Sequence, residues 1–451
     1  MNYFEERERA LLGQRFDTHY QAPQTQAARG VTVNGLRCTP QQFAQLDTQL
    51  ELEPSPFCSQ AFVVRQQEFK PGRHPYHHGG AFYSQEPSAS APAALLQVEP
   101  GMKVLDLCAA PGGKSSQLAA ALQGKGLLVS NEYIPARAEI LRSNLERMGV
   151  ANALILNGDT KAIGAALPGF FDRVLVDAPC SGEGMFRKEP QAVTQHNEGL
   201  VEQCAQLGRE ILEQAAQLLA PGGLLMYSTC TFAPQEDEGQ VGAFLARHPE
   251  FSLVSLPQEL GSPGEENRCM GNPFPVEKVR RIWPFQGGEG HFMALLQKQP
   301  DAPGKTSYKE EKPAKPCKEW QSFAGEYFPQ LAQLPVIKAG EQWLLMPQGL
   351  PQLPAKLRVM RAGVALGTAQ KNRFVPAHHL FMAFGNQCVN QENLTLSDPR
   401  TAAWLRGEEI PAQTAQKGWC SVLVDGFPLG AGKVSGGVIK NHYPKALRNL
   451  K

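Results

Sequence analysis

The chain has 451 residues, 42% of them hydrophobic and 19% charged, a balance that excludes disorder and a length that exceeds one ordinary core, so about two to four domains are expected. A formal charge of +1 excludes a general polycation, and any phosphate contact must be local. No apolar run is long enough to cross a bilayer, and the opening "MNYFEERERALLG" lacks the unbroken apolar core of a secretion signal. A cytoplasmic protein is expected. The ten cysteines, from Cys38 to Cys420, form no C-x-x-C pair, which argues against a zinc knuckle and, in a long unsecreted chain, against a disulfide framework.

Residues 1–92 mix a helical stretch, "PQQFAQLDTQL", with strand-like ones, "GVTVNGL" and "QAFVVR", and read as a small α+β domain. From 93 to 298 the pattern is regular. The apolar runs "KVLDLC", "GLLVSNE", "ALILNGD", "DRVLVDA", "GLLMYST" and "HFMALLQ" alternate with helical stretches such as "SSQLAAALQ" and "ARAEILRSNLERMG". A further helical stretch, "VEQCAQLGREILEQAAQLLAPGG", is expected to stop at its Pro-Gly-Gly. Alternating strand and helix predicts an α/β fold with a mostly parallel sheet covered on both faces. Residues 299–319 are rich in Lys and Pro and read as a linker. Residues 320–390 and 391–451 read as two small β-rich modules, the second with a hairpin-like "CSVLVDGFPLGAGKV". The closing stretch carries Lys433, Lys440, Lys445, Arg448 and Lys451 with no acid, a charge of +5. The interleaved Val, Ile, Tyr and Leu point to a folded basic face rather than a solvated tail.

The stretch "VLDLCAAPGGKSSQLAAAL" is a strand, a Gly-rich turn and a helix start, the geometry that brings backbone N–H groups up to a ligand. A P-loop needs glycine five places before Gly113, where Cys108 stands. A dinucleotide site needs G-x-G-x-x-G, which the turn lacks. S-adenosylmethionine remains, because its ribose needs a carboxylate at the end of the second strand, and Glu132 stands there. Asp159 ends the third strand and suits the adenine amino group; Asp177 ends the fourth. A helix cap is the alternative for any one of these acids.

Three stretches, "DLCAAPGGKSSQLA", "DAPCSGEGMFRK" and "YSTCTFAPQEDE", together resemble the NOL1/NOP2/Sun family of RNA 5-methylcytosine methyltransferases over roughly residues 1–298. The segments "GGAFYSQEPSA" and "RRIWPFQGGEGHFMALL" also fit. The closing segment resembles the PUA-like RNA-binding module of that family's RsmF-like bacterial branch, which methylates small-subunit ribosomal RNA. The resemblance implies a class I S-adenosylmethionine-dependent methyltransferase, Rossmann-like, acting on a cytosine of 16S ribosomal RNA in the decoding region. It implies a monomer whose partner is that RNA, within the small subunit or an assembly intermediate, and no metal. It places the cofactor on Cys108, Ala109, Ala110, Pro111, Gly112, Gly113, Lys114, Glu132, Asp159 and Asp177.

Carbon 5 of cytosine is a poor nucleophile, so a thiolate must first add to carbon 6. Cys180 and Cys230 each lie just past a strand end, where open α/β sheets bind ligands, in polar loops that do not suit buried structural thiols. Residue logic leaves open which of them attacks. In DNA cytosine methyltransferases the Pro-Cys thiol attacks; the RNA family's pattern implies Cys230 as nucleophile, Cys180 as the thiol that assists release, and Asp177 as the group holding the base. Lys114 either lowers a thiolate pKa or contacts the base, or faces solvent. The rivals are a non-catalytic assembly factor on the same fold, a tRNA cytosine methyltransferase, and a dehydrogenase that fails on its glycine pattern.

Overall fold

The computed structural model describes residues 2–23, 26–66, 68–304, 307–414 and 416–448; Lys451 of the basic tail lies outside them. The first antiparallel sheet holds β1 (Gly30–Val33), β2 (Leu52–Pro54), β3 (Ala61–Val64) and β4 (Phe82–Gln85), in the order β2-β3-β1-β4. The helix Pro40–Gln45 starts on a reciprocal Thr39/Gln42 capping box and buries Phe43 against Phe62 and Phe82. It is shorter than the helical pattern in the sequence, because Leu46 turns to extended backbone at ψ 144°.

The central sheet follows. Its parallel part is β5 (Lys103–Asp106), β6 (Leu127–Asn131), β7 (Ala153–Leu156), β8 (Phe171–Asp177) and β9 (Leu219–Thr229). Then come β10 (Phe251–Val254), β11 (Ser262–Pro263), β12 (Arg280–Ile282) and β13 (His291–Lys298), with β13 antiparallel to β9. All six apolar runs are therefore strands. Their side chains alternate between two cores, as period-2 geometry demands. Leu105, Val129, Val174, Leu225 and Tyr227 face the helix Glu198–Leu218 on one side. Val104, Leu128, Leu175 and Met226 face the helices Gly113–Leu122 and Pro135–Arg147 on the other.

Two details differ from expectation. The helix ending at Leu218 does not run to the Pro-Gly-Gly; that tripeptide lies inside β9, where the pairing with β8 shifts register between Phe171 and Arg173. Gly222 takes a φ of +78° there, a left-handed conformation that a strand interruption favours. The second concerns the sheet's edge. Beyond β14 (Val336–Ala339) and β15 (Gln342–Leu345), the strand β16 (Val359–Ala362) leaves its own module and pairs antiparallel with β7. The full order is β11-β12-β13-β9-β8-β5-β6-β7-β16, with β10 on β13.

The stretch 299–319, read as a linker, holds no named strand among its described residues and only the first two residues of the helix Lys318–Tyr327, but it does not hang free. Glu310 bridges Pro351, Ala314 bridges Val336, and the Tyr308 ring packs edge-on against Phe170 at 4.8 Å. β17 (Val364–Gln370) and β18 (Arg373–Pro376) complete a sheet β14-β15-β17-β18. The last sheet comprises β19 (Gln391–Leu394), β20 (Ile410–Pro411), β21 (Gly418–Val424), β22 (Phe427–Ser435) and β23 (Val438–Asn441). Asp425 and Gly426, at φ of +46° and +83°, make the tight turn between β21 and β22, as a two-residue Asp-Gly hairpin requires. The first and last sheets share one core: Val31, Phe62, Tyr76 and Phe82 pack with Val422, Phe427, Leu429 and Tyr443.

No helix among the described residues is long and apolar enough to cross a membrane.

Candidate active site

The strand order reverses between β5 and β8, and at such a switch point the carboxyl ends of the strands open a crevice. Here it is a cleft of about 680 Å³, of a size that takes a small cofactor. Of the residues expected in it, Cys108, Ala110, Glu132, Asp159, Asp177, Cys180 and Cys230 line it. Ala109, Pro111, Gly112, Gly113 and Lys114 do not.

The glycines of the turn serve packing first. Gly112 caps the helix Gly113–Leu122 at a φ of +112°. A Cβ on Gly113 would meet the Tyr83 ring at 3.0 Å and collide with the Gln85 amide, so this glycine lets the first domain dock on that helix. Lys114, in the helix's first turn, does not face solvent. Its Nζ donates to Asp177 Oδ2 at 2.8 Å, with 12% of the side chain exposed.

Asp177 is held from several sides. Besides Lys114, the Ser228 hydroxyl donates to its Oδ1 at 2.8 Å, and His291 Nε2 stands 3.8 Å away. Burial alone would raise its pKa, but Lys114 and His291 hold the carboxyl well below its usual range. It is an ion-paired carboxylate at every physiological pH.

The two thiols meet. Sγ of Cys180 and Sγ of Cys230 are 3.4 Å apart, because the last residues of β8 and β9 pair, Asp177 opposite Ser228. The hydrogen bond to Cys230, then burial, push the Cys180 thiol well above its usual range. Two buried carboxylates fix the loops that carry these thiols. Glu236 accepts from Ser181 N at 2.9 Å and from the Ser181 hydroxyl, which also touches the Thr231 hydroxyl at 2.7 Å. Glu183 accepts from Phe232 N at 3.0 Å, His196 Nε2 at 2.8 Å and both Arg7 Nη atoms at 2.8 Å each. Gly184 N donates to Cys230 O at 2.9 Å. Burial opposes ionisation of Glu183, yet His196 and Arg7 bring it down to about 2. Arg7 belongs to the helix Tyr3–Leu12, so the first domain reaches into the loops that carry the two thiols.

On the cofactor side, Glu132 is buried at the end of β6, its Oε1 accepting from Ile134 N at 2.8 Å. Asp159 is exposed and caps the helix Thr160–Ala166 through Lys161 N at 2.7 Å. The cap considered for it from sequence is thus real, while the residue also lines the cleft. Sequence reasoning passed over Tyr133, which is 70% exposed at the cleft's edge and offers a flat apolar surface. It also passed over Asp106, which burial pushes up to about 7 against its bond from Ser115. Asp106 Oδ1 has no hydrogen-bond partner among the described residues. The signal for both was present: an exposed aromatic directly after a strand-end acid, and an acid inside an apolar strand.

A doubly covered, mostly parallel sheet, a strand-end carboxylate at β6 and a turn that cradles no phosphate define an S-adenosylmethionine-dependent methyltransferase. A solved methyltransferase homolog protein from Pyrococcus horikoshii is similar at a TM-score of 0.55 and 26% identity, over 66% of this chain and 100% of that one. The structure of NSun6 from Pyrococcus horikoshii with SFG is similar in fold, at a TM-score of 0.54 and 20% identity over 65% and 97%. Residues 93–297 match the family described as 16S rRNA methyltransferase RsmB/F. Residues 2–87, 322–384 and 391–449 match the N-terminal, first C-terminal and PUA domains described for RsmF. Ribosomal RNA small subunit methyltransferase F of Serratia proteamaculans is 32% identical over 96% of this chain and 92% of its own. Its namesake in Aeromonas hydrophila is 33% identical over 93% and 90%. The chain belongs to the ribosomal RNA small subunit methyltransferase F family.

Proposed function

We propose that the protein methylates carbon 5 of a cytosine in 16S ribosomal RNA through a covalent bond between Cys230 and the base. The observation that carries this reading is the pair of thiols 3.4 Å apart at the mouth of the cofactor cleft. Two adjacent thiols suit a reaction that must both make and break a sulfur–carbon bond.

The environment separates their roles. Cys180 is held as a thiol. Lys114 is close enough to Cys230 for that neighbour to favour the ammonium's charge, which sets a cation beside the attacking sulfur. Cys230 Sγ adds to carbon 6 of the base, forming the S–C6 bond and moving the ring's π electrons to carbon 5. S-adenosylmethionine supplies the methyl group that carbon 5 takes. A base then takes the proton on carbon 5, the C5–H electrons re-form the C5–C6 double bond, and Cys230 departs as thiolate with the S–C6 electron pair, with Cys180 assisting this step. Asp177, ionised, accepts from the amino group and the protonated ring nitrogen of the base.

For the cofactor, Glu132 takes the ribose hydroxyls, Asp159 the adenine amino group through the oxygen not used in its cap, and the Cys108–Lys114 turn the remainder. The carboxylates of Glu132, Asp159 and Asp177 around the cleft fit a cationic sulfonium ligand. The decoding region as target, the small subunit or an assembly intermediate as substrate, a monomeric state and a cytoplasmic location rest on the family resemblance.

The test uses the two ways in which the cysteines fail. Cys180→Ala should trap methylated RNA on Cys230, seen as an RNA–protein band that survives denaturing electrophoresis and disappears in the Cys180→Ala, Cys230→Ala double variant. The target base must be unstacked to react, so the band needs RNA in which it is accessible. A stable band with Cys230→Ala alone would reverse the two roles.

A further inference from the structure

Three loops, following β5, β6 and β7, form the cofactor side of the cleft, and two asparagines lace them together. Asn131 Nδ2 donates to Leu107 O at 3.2 Å and Gly158 O at 3.1 Å, while its Oδ1 accepts from Gly158 N at 3.0 Å. This ties the first loop to the third. Asn157 does the same for the second loop: its Nδ2 donates to Glu132 O at 2.7 Å and Tyr133 O at 2.9 Å.

Asn157 then reaches outside the methyltransferase sheet. Its Oδ1 accepts from Arg358 Nη1 at 3.1 Å, and its backbone N–H donates to Arg358 O at 3.0 Å. Arg358 directly precedes β16, the strand from the first C-terminal module that pairs with β7. The amide's orientation follows from chemistry: the opposite one would set an oxygen against two carbonyls and an NH₂ against a guanidinium. Asn157 is nearly fully buried, whereas Arg358 is exposed, and neither lines the cleft.

We propose that Asn157 and Arg358 are positioning residues for the cofactor, so that the first C-terminal module sets the affinity for S-adenosylmethionine. The two carbonyls that Asn157 holds belong to the residue offering its carboxylate to the ribose and to the exposed tyrosine beside it. A buried carbonyl without its donor seeks another partner. Removing the Asn157 amide therefore lets the Glu132–Tyr133 peptide rotate and swings the carboxylate off its aim. Arg358 fixes which way the amide points, and β16 fixes Arg358. The cysteine loops are held by Glu183 and Glu236, so bond making at the base is untouched. The inference rests on the reading of Glu132 as ribose ligand.

The experiment is calorimetric titration of S-adenosylmethionine into the full-length protein, beside steady-state kinetics on ribosomal RNA. Asn157→Ala should weaken cofactor binding about tenfold and Arg358→Ala about threefold, the worth of one or two buried hydrogen bonds. Both should keep kcat at saturating substrates and KM for RNA within about twofold of wild type. The double variant should be no weaker than Asn157→Ala, because Arg358 acts through Asn157. Wild-type cofactor affinity in both variants overturns the proposal, as does an equal rise in KM for RNA. Glu132→Ala separates the two possible failures. If it too binds cofactor normally, the ribose reading is wrong; if it alone is weak, only the positioning role is wrong. Should Asn157→Ala not fold, Arg358→Ala, an exposed substitution, decides the matter by itself.

Discussion

Glu236 shows how much one buried side chain can ask of its surroundings. Burial pushes its carboxyl from 4.5 up to about 7 despite the bonds from Ser181. The folded protein therefore holds a proton that the unfolded chain has released, and stability falls as pH rises from about 4.5 to about 7. Asp106 acts in the same direction. Glu236→Gln keeps partners for Ser181 and removes one of these penalties. Its stability relative to wild type should therefore rise by about 1–3 kcal/mol between pH 4.5 and 7.5, measured by denaturant unfolding at each pH. A difference that does not move with pH would mean that Glu236 is ionised in the fold. Residues of this kind were hard to read from sequence, because their state depends on neighbours brought from elsewhere in the chain. Cys180 and Cys230 were legible as a pair because each follows a strand, and those strands are adjacent. Asp159 was not separable, since an acid before a helix serves a cap and a ligand equally well. Nothing in the sequence marks Asn157, since its partner Arg358 stands some two hundred positions later.

The elements divide along the same line. The six central strands were legible because burial on both faces leaves near-continuous apolar runs that few other structures need. β16, "VMRA", was not, since it is short and carries Arg361. The helix Tyr3–Leu12 lacks an unbroken apolar run because charges interrupt it, and the fold shows where those charges go. Arg7 binds Glu183, and Glu8 binds Arg268 with both partners fully buried. Arg7→Ala leaves Glu183 buried with one partner fewer, which should cost about 3–5 kcal/mol and uncouple the cysteine loops from the first domain. Arg9→Ala is the control: its bond to Asp17 joins side chains 44% and 81% exposed and is worth less than about 1 kcal/mol. Equal losses in chemical denaturation would deny Arg7 its special place. The last hairpin carries its own expectation. Lys433 and Lys440 stand directly opposite on β22 and β23, both exposed, and Lys433 also faces Trp419 across β21. Facing like charges disfavour a sheet but favour a phosphate between them. Replacing both by Ala should flatten log affinity for RNA against log salt by about 1.5; an unchanged slope would move the phosphate contacts elsewhere.

In the whole molecule, the first and last modules are not independent appendages. Tyr76 OH donates to Asp425 Oδ2 at 2.8 Å, the His78 ring meets Tyr443 OH at 2.9 Å, and the Tyr76 and Phe427 rings lie 5.2 Å apart. Composition and pattern divide the chain into an α/β centre with smaller flanking pieces, but no local pattern could show that the two ends share a core. Phe427→Ala should cost about 3–5 kcal/mol and lower hydrogen-exchange protection in β1, β3 and β4 as well as in the last sheet. Loss confined to residues 391–448 would make the two modules separate folding units.

That shared core has a consequence for how the protein is made. Phe62 and Phe82 leave the ribosome early, whereas Phe427 and Tyr443 leave it near the end. At elongation rates of about 5–20 residues per second the apolar face of the first sheet waits on the order of 20–70 s for its cover. A chain that stops short, through a nonsense codon or a broken message, never acquires it. The clasp thus works as a completeness check: only full-length synthesis closes the core beneath the first sheet, and unfinished copies present an uncovered sheet to the cell's proteases and chaperones.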